Sequence, residues 1–401
     1  MSKKRLLLSA CPLYLLFYIG DAFLCSYFSL YFIERNVDDH QRAILLAVIP
    51  FAMFVGCTVF SSLAKNSARS LWLYRFCLLA EAGLVLLYIL CDSFYPLLVV
   101  TAIIGFVNGA PFSLIEGYLV PRIEHRGGNY AWIRIFGSIG YAVSLLAGFF
   151  MLQYIKIHQC FYFASGFFLC ALALSFLFHE KDAKRSDPID GEHKGEPVPR
   201  KHFKLSHAAI IYCLSQMLIY GSFNGCAYIF PVHLNSLGFP DANYSLMRGI
   251  GVVIEIAFFL LIPLAHRLFR NKKVPIILAG SFFAVSTISG VFFLEPWSLS
   301  WAFFTLNSIA KALLFSYQAT LLNEVVGEDE LIRVLTVSTG GINLCSAALN
   351  LFSARIFEAW GYQGYFGLIT FMEAIGVALV FFLPRKQQDE SEPVSAPKTE
   401  Q

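Results

Sequence analysis

Three observations predict an all-α membrane protein with twelve transmembrane helices. The chain is 57% hydrophobic and only 14% charged. Apolar runs of about 20 residues, the length a helix needs to cross a bilayer, recur along nearly its whole length. Its lysines and arginines gather on one set of connections between those runs. A soluble domain carries about 25% charged residues, so a water-soluble core does not account for this composition. A closed β-barrel would need alternating strands about half as long, whereas these runs are continuously apolar.

The runs place a first set of six spans at 9–32, 42–64, 70–91, 95–119, 133–155 and 159–178, and a second set at 207–233, 243–266, 274–294, 297–322, 334–357 and 362–384. Between them, 179–204 carries Lys181, Lys184, Arg185, Pro188, Pro197 and Pro199, too polar for lipid and too broken to pack. The expected organisation is a six-helix bundle over 1–178, a linker over 179–204, a second six-helix bundle over 205–384 and a disordered tail over 385–401. Met1–Arg5 leads into an apolar stretch longer than a signal-peptide core, so the N-terminus is expected to be retained.

With twelve spans both termini share one side. The termini and even-numbered connections hold 22 of the 30 lysines and arginines, and the odd-numbered connections hold five: Arg35, Arg42, Lys156, Arg248 and Arg355. The positive-inside rule then makes both termini and the linker cytoplasmic, and a bacterial inner membrane is the expected location. The net charge of +3 resides in the loops and gives no support to nucleic-acid binding. The ten cysteines lie in or beside apolar segments without metal-ligand spacing, so neither a disulfide framework nor a zinc site is expected.

Charged groups at bilayer depth cost at least about 2.5 kcal/mol each and usually face a cavity or a partner. Asp21 stands in span one, Arg75 and Glu81 in span three, Asn108 and Glu116 in span four, and Arg134 at the start of span five. The second half adds Glu255, Lys311 and Glu373. Glu116 and Arg134 are expected at similar depth on adjacent antiparallel helices, either as a structural pair or as solute ligands, because a guanidinium fork can trade a carboxylate for solute oxygens. Glu255 with Lys311 is either a fixed ion pair or a proton-coupling pair. Asp21 is read as a cavity ligand or proton site, the alternative being a carboxylate capped by backbone. Glu81 with Arg75 is read as structural, and Glu373 is left without a role. The nine histidines sit in loops or near span ends, so any proton would ride on carboxylates. No Walker sequence, nucleophile elbow or metal cluster is present in the sequence, which argues against ATP-driven transport and against an enzyme, and no cofactor is expected.

Two six-span halves around a cytoplasmic linker are the layout of parallel-repeat transporters, whose substrate site lies near the midplane between the halves. An internal echo supports the repeat: Arg134-Ile-Phe-Gly-Ser-Ile-Gly opens span five, and Arg333-Val-Leu-Thr-Val-Ser-Thr-Gly-Gly opens span eleven.

Gly105-Phe-Val-Asn-Gly-Ala-Pro111, then Glu116, then Arg134-Ile-Phe-Gly-Ser-Ile-Gly-Tyr141 resembles the fourth and fifth spans of the lactose permease group of oligosaccharide–proton symporters. Gly249-Ile-Gly-Val-Val-Ile-Glu255 looks like the eighth span of the related phenylpropionate permease group in the major facilitator superfamily. The resemblance implies the major facilitator fold. It also implies a substrate site at Glu116, Arg134 and Tyr141, with Tyr141 stacking on the solute, and proton handling by carboxylates of the second half. Span ten departs from the group, offering Lys311 alone where the permease carries a lysine, histidine and glutamate. The loop Leu63-Ala-Lys-Asn-Ser-Ala-Arg69 lacks the Asp and Gly of the superfamily gating motif.

The expected activity is therefore secondary active transport: proton-coupled import of a small polar or carboxylated solute (a sugar, nucleoside or aromatic acid) by alternating access. Asn108 and Asp21 join Glu116, Arg134 and Tyr141 as substrate candidates, while Glu255, Lys311 and Asp21 are the proton-coupling candidates. The expected partners are the solute, protons and the lipid bilayer, with the chain acting as a monomer. The competing readings are an exporter of amphipathic compounds and a non-transporting receptor or assembly factor.

Overall fold

The computed structural model describes residues 3–64, 66–124, 131–178, 205–265, 269, 271–293, 295–326 and 328–384; the expected linker 179–204 and tail 385–401 lie outside them. The described chain is helical with no strand. In the first half, span one is α1 (Lys3–Cys25) with α2 (Phe28–Glu34), and spans two and three are α3 (Asp39–Leu63) and α4 (Ser67–Ile89). Span four is α5 (Phe94–Asn108) with α6 (Pro111–Glu124), followed by α7 (Ala131–Met151) and α8 (Ile157–Ser175). In the second half, span seven is α9 (His207–Gln216), a π-helical turn Met217–Gly221 and α10 (Ser222–Ser236). Then come α11 (Asp241–Ala265), α12 (Lys273–Phe292), α13 (Pro296–Val326) and α14 (Glu328–Phe381).

Ten helical stretches of the described residues are long and apolar enough to cross a membrane, and two features carry that number to twelve spans. The apolar stretch Val334–Phe381 has 48 residues, roughly 70 Å as a straight helix against about 30 Å of hydrocarbon. At Gly361 its backbone takes φ 65° and ψ −178°, a conformation open to glycine, and the chain turns back there to make spans eleven and twelve. Span seven, in turn, is cut by its π turn into pieces each too short to be recognised alone.

In the first half α1 packs against α7 and α8, α4 against α5, α6 and α8, and α3 against α5. In the second half α12 lies on α13 and α14, and α11 on α13. Two seams join the halves: α7 with α11, and α3 with α14. Glycines allow the closest approaches. A Cβ on Gly56 of α3 would stand 1.8 Å from the Phe106 carbonyl oxygen of α5, and one on Gly109 would stand 2.3 Å from that of Met53.

The bundle end that carries the start of α1 is here called proximal, and the opposite end distal. The halves are tied toward the distal end. The Ser245 hydroxyl donates to the Leu145 carbonyl (2.7 Å), so its partner Tyr27 must be the donor in their 2.5 Å contact, a hydroxyl having one hydrogen to give. Tyr244 donates to the Ser26 carbonyl (3.3 Å), Ser29 to that of Tyr228 (2.5 Å) and Asn350 to that of Leu46 (3.1 Å). His40 meets Glu358 at 2.9 Å.

Three spans are interrupted: span one toward its distal end at Ser26–Tyr27, span four at Gly109–Ala110 and span seven at its π turn. Irregular backbone at membrane depth is tolerated where it is buried in protein or lines a polar cavity. These interruptions place Cys25 and Ser26, Asn108, and Tyr220 where the polar groups of the protein converge.

Candidate functional site

A cavity of about 330 Å³ lies at mid-depth between the halves, at the small end of the range for ligand pockets, about 300 to 1,000 Å³. The first half contributes Tyr18 of α1 with Ser138 and Tyr141 of α7. On α11, Arg248, Val252 and Glu255 recur at spacings of four and three and so share one face, and all three line the space. Across from them stand Asn307, Ser308 and Lys311 of α13, with the rings of Tyr220, Phe223 and Phe304 making much of the apolar wall.

Arg248 is the most tightly held charge there. Its guanidinium donates to the Tyr244 hydroxyl at 2.5 Å and to the Tyr141 hydroxyl at 2.9 Å. Tyr141 also meets the Ser26 hydroxyl at 3.0 Å, so a single arginine gathers α1, α7 and α11 at the distal edge of the cavity. Lys311 is held more loosely, its ammonium 5.5 Å from the centre of the Phe223 ring. Glu255 feels the charges of both Lys311 and Arg134. Asn307 and Ser308 donate to carbonyls one turn back, Phe303 (2.6 Å) and Phe304 (2.7 Å), which leaves the oxygens of both side chains able to accept. The lining thus combines two cations, one carboxylate and several aromatic faces.

Asp21 and Asn108 do not line this cavity. They form a second polar cluster inside the first half, where the Asn108 amide nitrogen donates to Asp21 Oδ1 at 3.0 Å and to Glu81 Oε1 at 3.1 Å. Cys25 lies 3.2 Å from the same Asp21 oxygen. Glu81 is fully buried and its other oxygen has no hydrogen-bond partner.

Glu116 and Arg134 stand proximal to the cavity. Arg134 is exposed, with its guanidinium 5.5 Å from the centre of the Phe112 ring; Phe112 packs edge-on against Tyr18 (6.2 Å), which is itself a cavity wall. Half-buried Glu116 lies one turn beyond Phe112 on α6. Of the sequence candidates, the structure brings Tyr141, Glu255 and Lys311 to one cavity, Asp21 and Asn108 to the neighbouring cluster, and Glu116 with Arg134 to the proximal approach.

Two readings from sequence are corrected. Arg248, counted with the loop charges, stands two turns into α11 on the face that carries Glu255, and that spacing of seven was the available signal. Glu81 does not turn to Arg75. The Arg75 guanidinium closes the end of α8 by donating to the carbonyls of Ser175 (2.9 Å) and Phe178 (2.7 Å). Six residues apart on one helix, Arg75 and Glu81 point about 120° apart, which already argued against a pair.

Twelve spans in two tied halves around a charged mid-depth cavity define a membrane transporter of the major facilitator type. The chain belongs to the MFS_1 like family, which it matches over residues 7–379. It is 22% identical over 253 residues to the uncharacterized transporter YwbF of Bacillus subtilis (strain 168), covering 61% of this chain and 60% of that one. It is 23% identical over 142 residues to the maltose permease of Geobacillus stearothermophilus, covering 35% of this chain and 36% of the permease. The chain thus matches less than two thirds of the length of either relative. Among solved structures, the nucleoside transporter NupG superposes with a TM-score of 0.72 at 15% identity, over 95% of this chain and 98% of that one; this likeness shows the fold. The relatives are transporters rather than enzymes.

Proposed function

We propose that the protein imports a small polar or carboxylated solute together with protons, alternating access to the central cavity from either side of a bacterial inner membrane with both termini cytoplasmic. The observation that carries this reading is the cavity of about 330 Å³ in which Arg248 and Lys311 outnumber Glu255 among aromatic rings. One surplus positive charge favours a solute bearing one acidic group or an electron-rich polar edge. The rings of Tyr220, Phe223 and Phe304 offer flat surfaces for an aromatic or sugar ring. The distal ties support alternating access, because a bundle closed at one end around a central site is one of the states the cycle requires. The maltose permease and the nucleoside transporter that the chain resembles carry solutes of the same size class.

The test begins with thermal stabilisation of the purified protein by maltose, uridine and 3-phenylpropionate. The stabilising compound is then followed into proteoliposomes. We expect uptake to rise with an inward proton gradient and to collapse with a protonophore. Flux that is equal with and without the gradient would leave a facilitator and remove proton coupling. Reporter fusions after Arg200 and after Lys386 should report the same side of the membrane, and opposite sides would overturn the orientation.

A further inference from the structure

We propose that Asp21 and Glu81, bridged by Asn108, form a proton-binding site inside the first half, distinct from Glu255 in the central cavity. The two carboxylates come from different helices, α1 and α4, and accept from the same amide nitrogen at 3.0 and 3.1 Å, so their accepting oxygens are separated by no more than those two distances together. Glu81 is completely buried with one oxygen unpartnered. Two anions sharing a buried site repel strongly, and one proton on the pair relieves that repulsion. The O–H bond forms on a carboxylate oxygen with a proton drawn from water.

Among the described residues no cation stands within the cluster. Tyr74 and Cys77 of α4 and Cys25 of α1 are the other titratable groups facing it from within the half. From α7 and α10 come Tyr141 and Tyr228, and from α11 comes Arg248, whose charge reaches Asp21 across the seam. From α8 the approach is Ser165, which donates to the Ala82 carbonyl (2.9 Å).

Room for water lies beside the cluster. A polar cavity of about 90 Å³ is lined by Cys25, Ser26, Asn224 and Arg248, room for several waters at about 10 to 15 Å³ each, and Cys25 joins its wall to Asp21. A proton rather than a metal cation fits the donor set. The Cys25 sulfur lies 3.2 Å from Asp21 Oδ1 and 3.7 Å from the Asn108 oxygen, and the amide nitrogen faces both carboxylates. A sodium ion would need an acceptor there and meets a donor.

The site rests on the transport reading only for its use. Protonating the pair weakens the attraction between Asp21 and Arg248, the arginine that gathers Tyr141 and Tyr244 at the distal seam, so proton binding and distal opening are linked.

Infrared spectroscopy of the full-length protein in lipid films, titrated across the neutral range, tests the site without any solute. We expect a carboxylic-acid C=O component that bleaches reversibly as pH rises, vanishes in Glu81→Gln and survives in Glu373→Gln. Asn108→Leu, which keeps both acids, should move its midpoint by about one pH unit or more and serves if Glu81→Gln does not fold. An unchanged component in both variants, or one that vanishes only in Glu255→Gln, overturns the proposal, as does bleaching by sodium at constant pH. Uptake that ignores a pH gradient while the component still titrates would remove the coupling reading and leave the site.

Discussion

The two halves use their buried polar groups in opposite ways. In the first half Asp21, Glu81 and Asn108 face one another across helices, the two acids meeting at one amide nitrogen. In the second half Arg248, Glu255 and Lys311 face a shared empty space. The contrast extends to counterpart helices. Glu81 is the fifteenth residue of α4 and Thr287 the fifteenth of α12, and each lies where the third helix of its half crosses the sixth. A pair of carboxylates bridged by one amide suits a small ion with no geometry of its own, whereas spread charges among rings suit a solute that must be oriented.

Packing separates the halves too, and this contrast should give the largest effect of substitution. A Cβ on Gly56 meets backbone, the Phe106 carbonyl oxygen at 1.8 Å, whereas one on Gly280 meets the tips of Val377 and Ile219 at 2.4 and 3.1 Å. Side-chain tips can rotate away and a helix backbone cannot. Gly56→Ala is therefore expected to separate α3 from α5 and cost about 3 kcal/mol or more, at or beyond the top of the overpacking range, seen as loss of folded protein or a much lower unfolding temperature. Gly280→Ala should cost about 1 kcal/mol. Equal losses in the two variants would break the distinction between a rigid first half and a yielding second.

The spans were legible in sequence because lipid demands long apolar runs, and structure and reading agree to within a few residues apart from the earlier starts of α1 and α14 and the later ends of α6 and α13. Tyr141, Glu255 and Lys311 could also be picked out, being polar groups stranded in apolar helices or placed by the motif. Arg248 was not, because five residues from a span start a charge looks like a loop charge, and only its register with Glu255 separates the two cases. The Asp21–Asn108–Glu81 cluster was illegible for a different reason. It depends on which neighbours α1, α4 and α5 choose and on the break after Asn108, and helical periodicity within one span contains neither.

A second comparison sets Arg248 against Lys311 in the same cavity. Arg248 holds two tyrosine hydroxyls at 2.5 and 2.9 Å with a planar fork, and a lysine in its place keeps the charge without the second directed donor. Arg248→Lys is expected to weaken solute binding at least about tenfold, roughly 1.4 kcal/mol, in a titration followed by thermal shift. Lys311→Arg should be milder because Lys311 has no fixed hydrogen-bond partner to lose. A reversed order would mean that Lys311 is the solute anchor and Arg248 a structural tie.

The smallest effect is expected at Glu373, which resembles Glu81 and yet differs where it counts. Both are fully buried and both keep one oxygen without a partner. Glu373 accepts from Thr287 at 2.5 Å, and Thr287 is itself tied to Thr370 at 3.1 Å, so its surroundings are two hydroxyls rather than a second acid. Glu373 lines neither the central cavity nor the polar cavity that Asp21 adjoins through Cys25. Set apart from both cavities and from any partner acid among the described residues, Glu373 is expected not to exchange a proton during transport. Glutamine preserves its length and the oxygen that accepts from Thr287, so Glu373→Gln should shift stability by no more than about 1 kcal/mol, the worth of a single hydrogen bond. It should leave the pH dependence of uptake as in the wild type, while Glu81→Gln changes it. If Glu373→Gln alters that dependence and Glu81→Gln does not, burial alone would not distinguish the two acids, and the proton would have to be sought where α12 crosses α14.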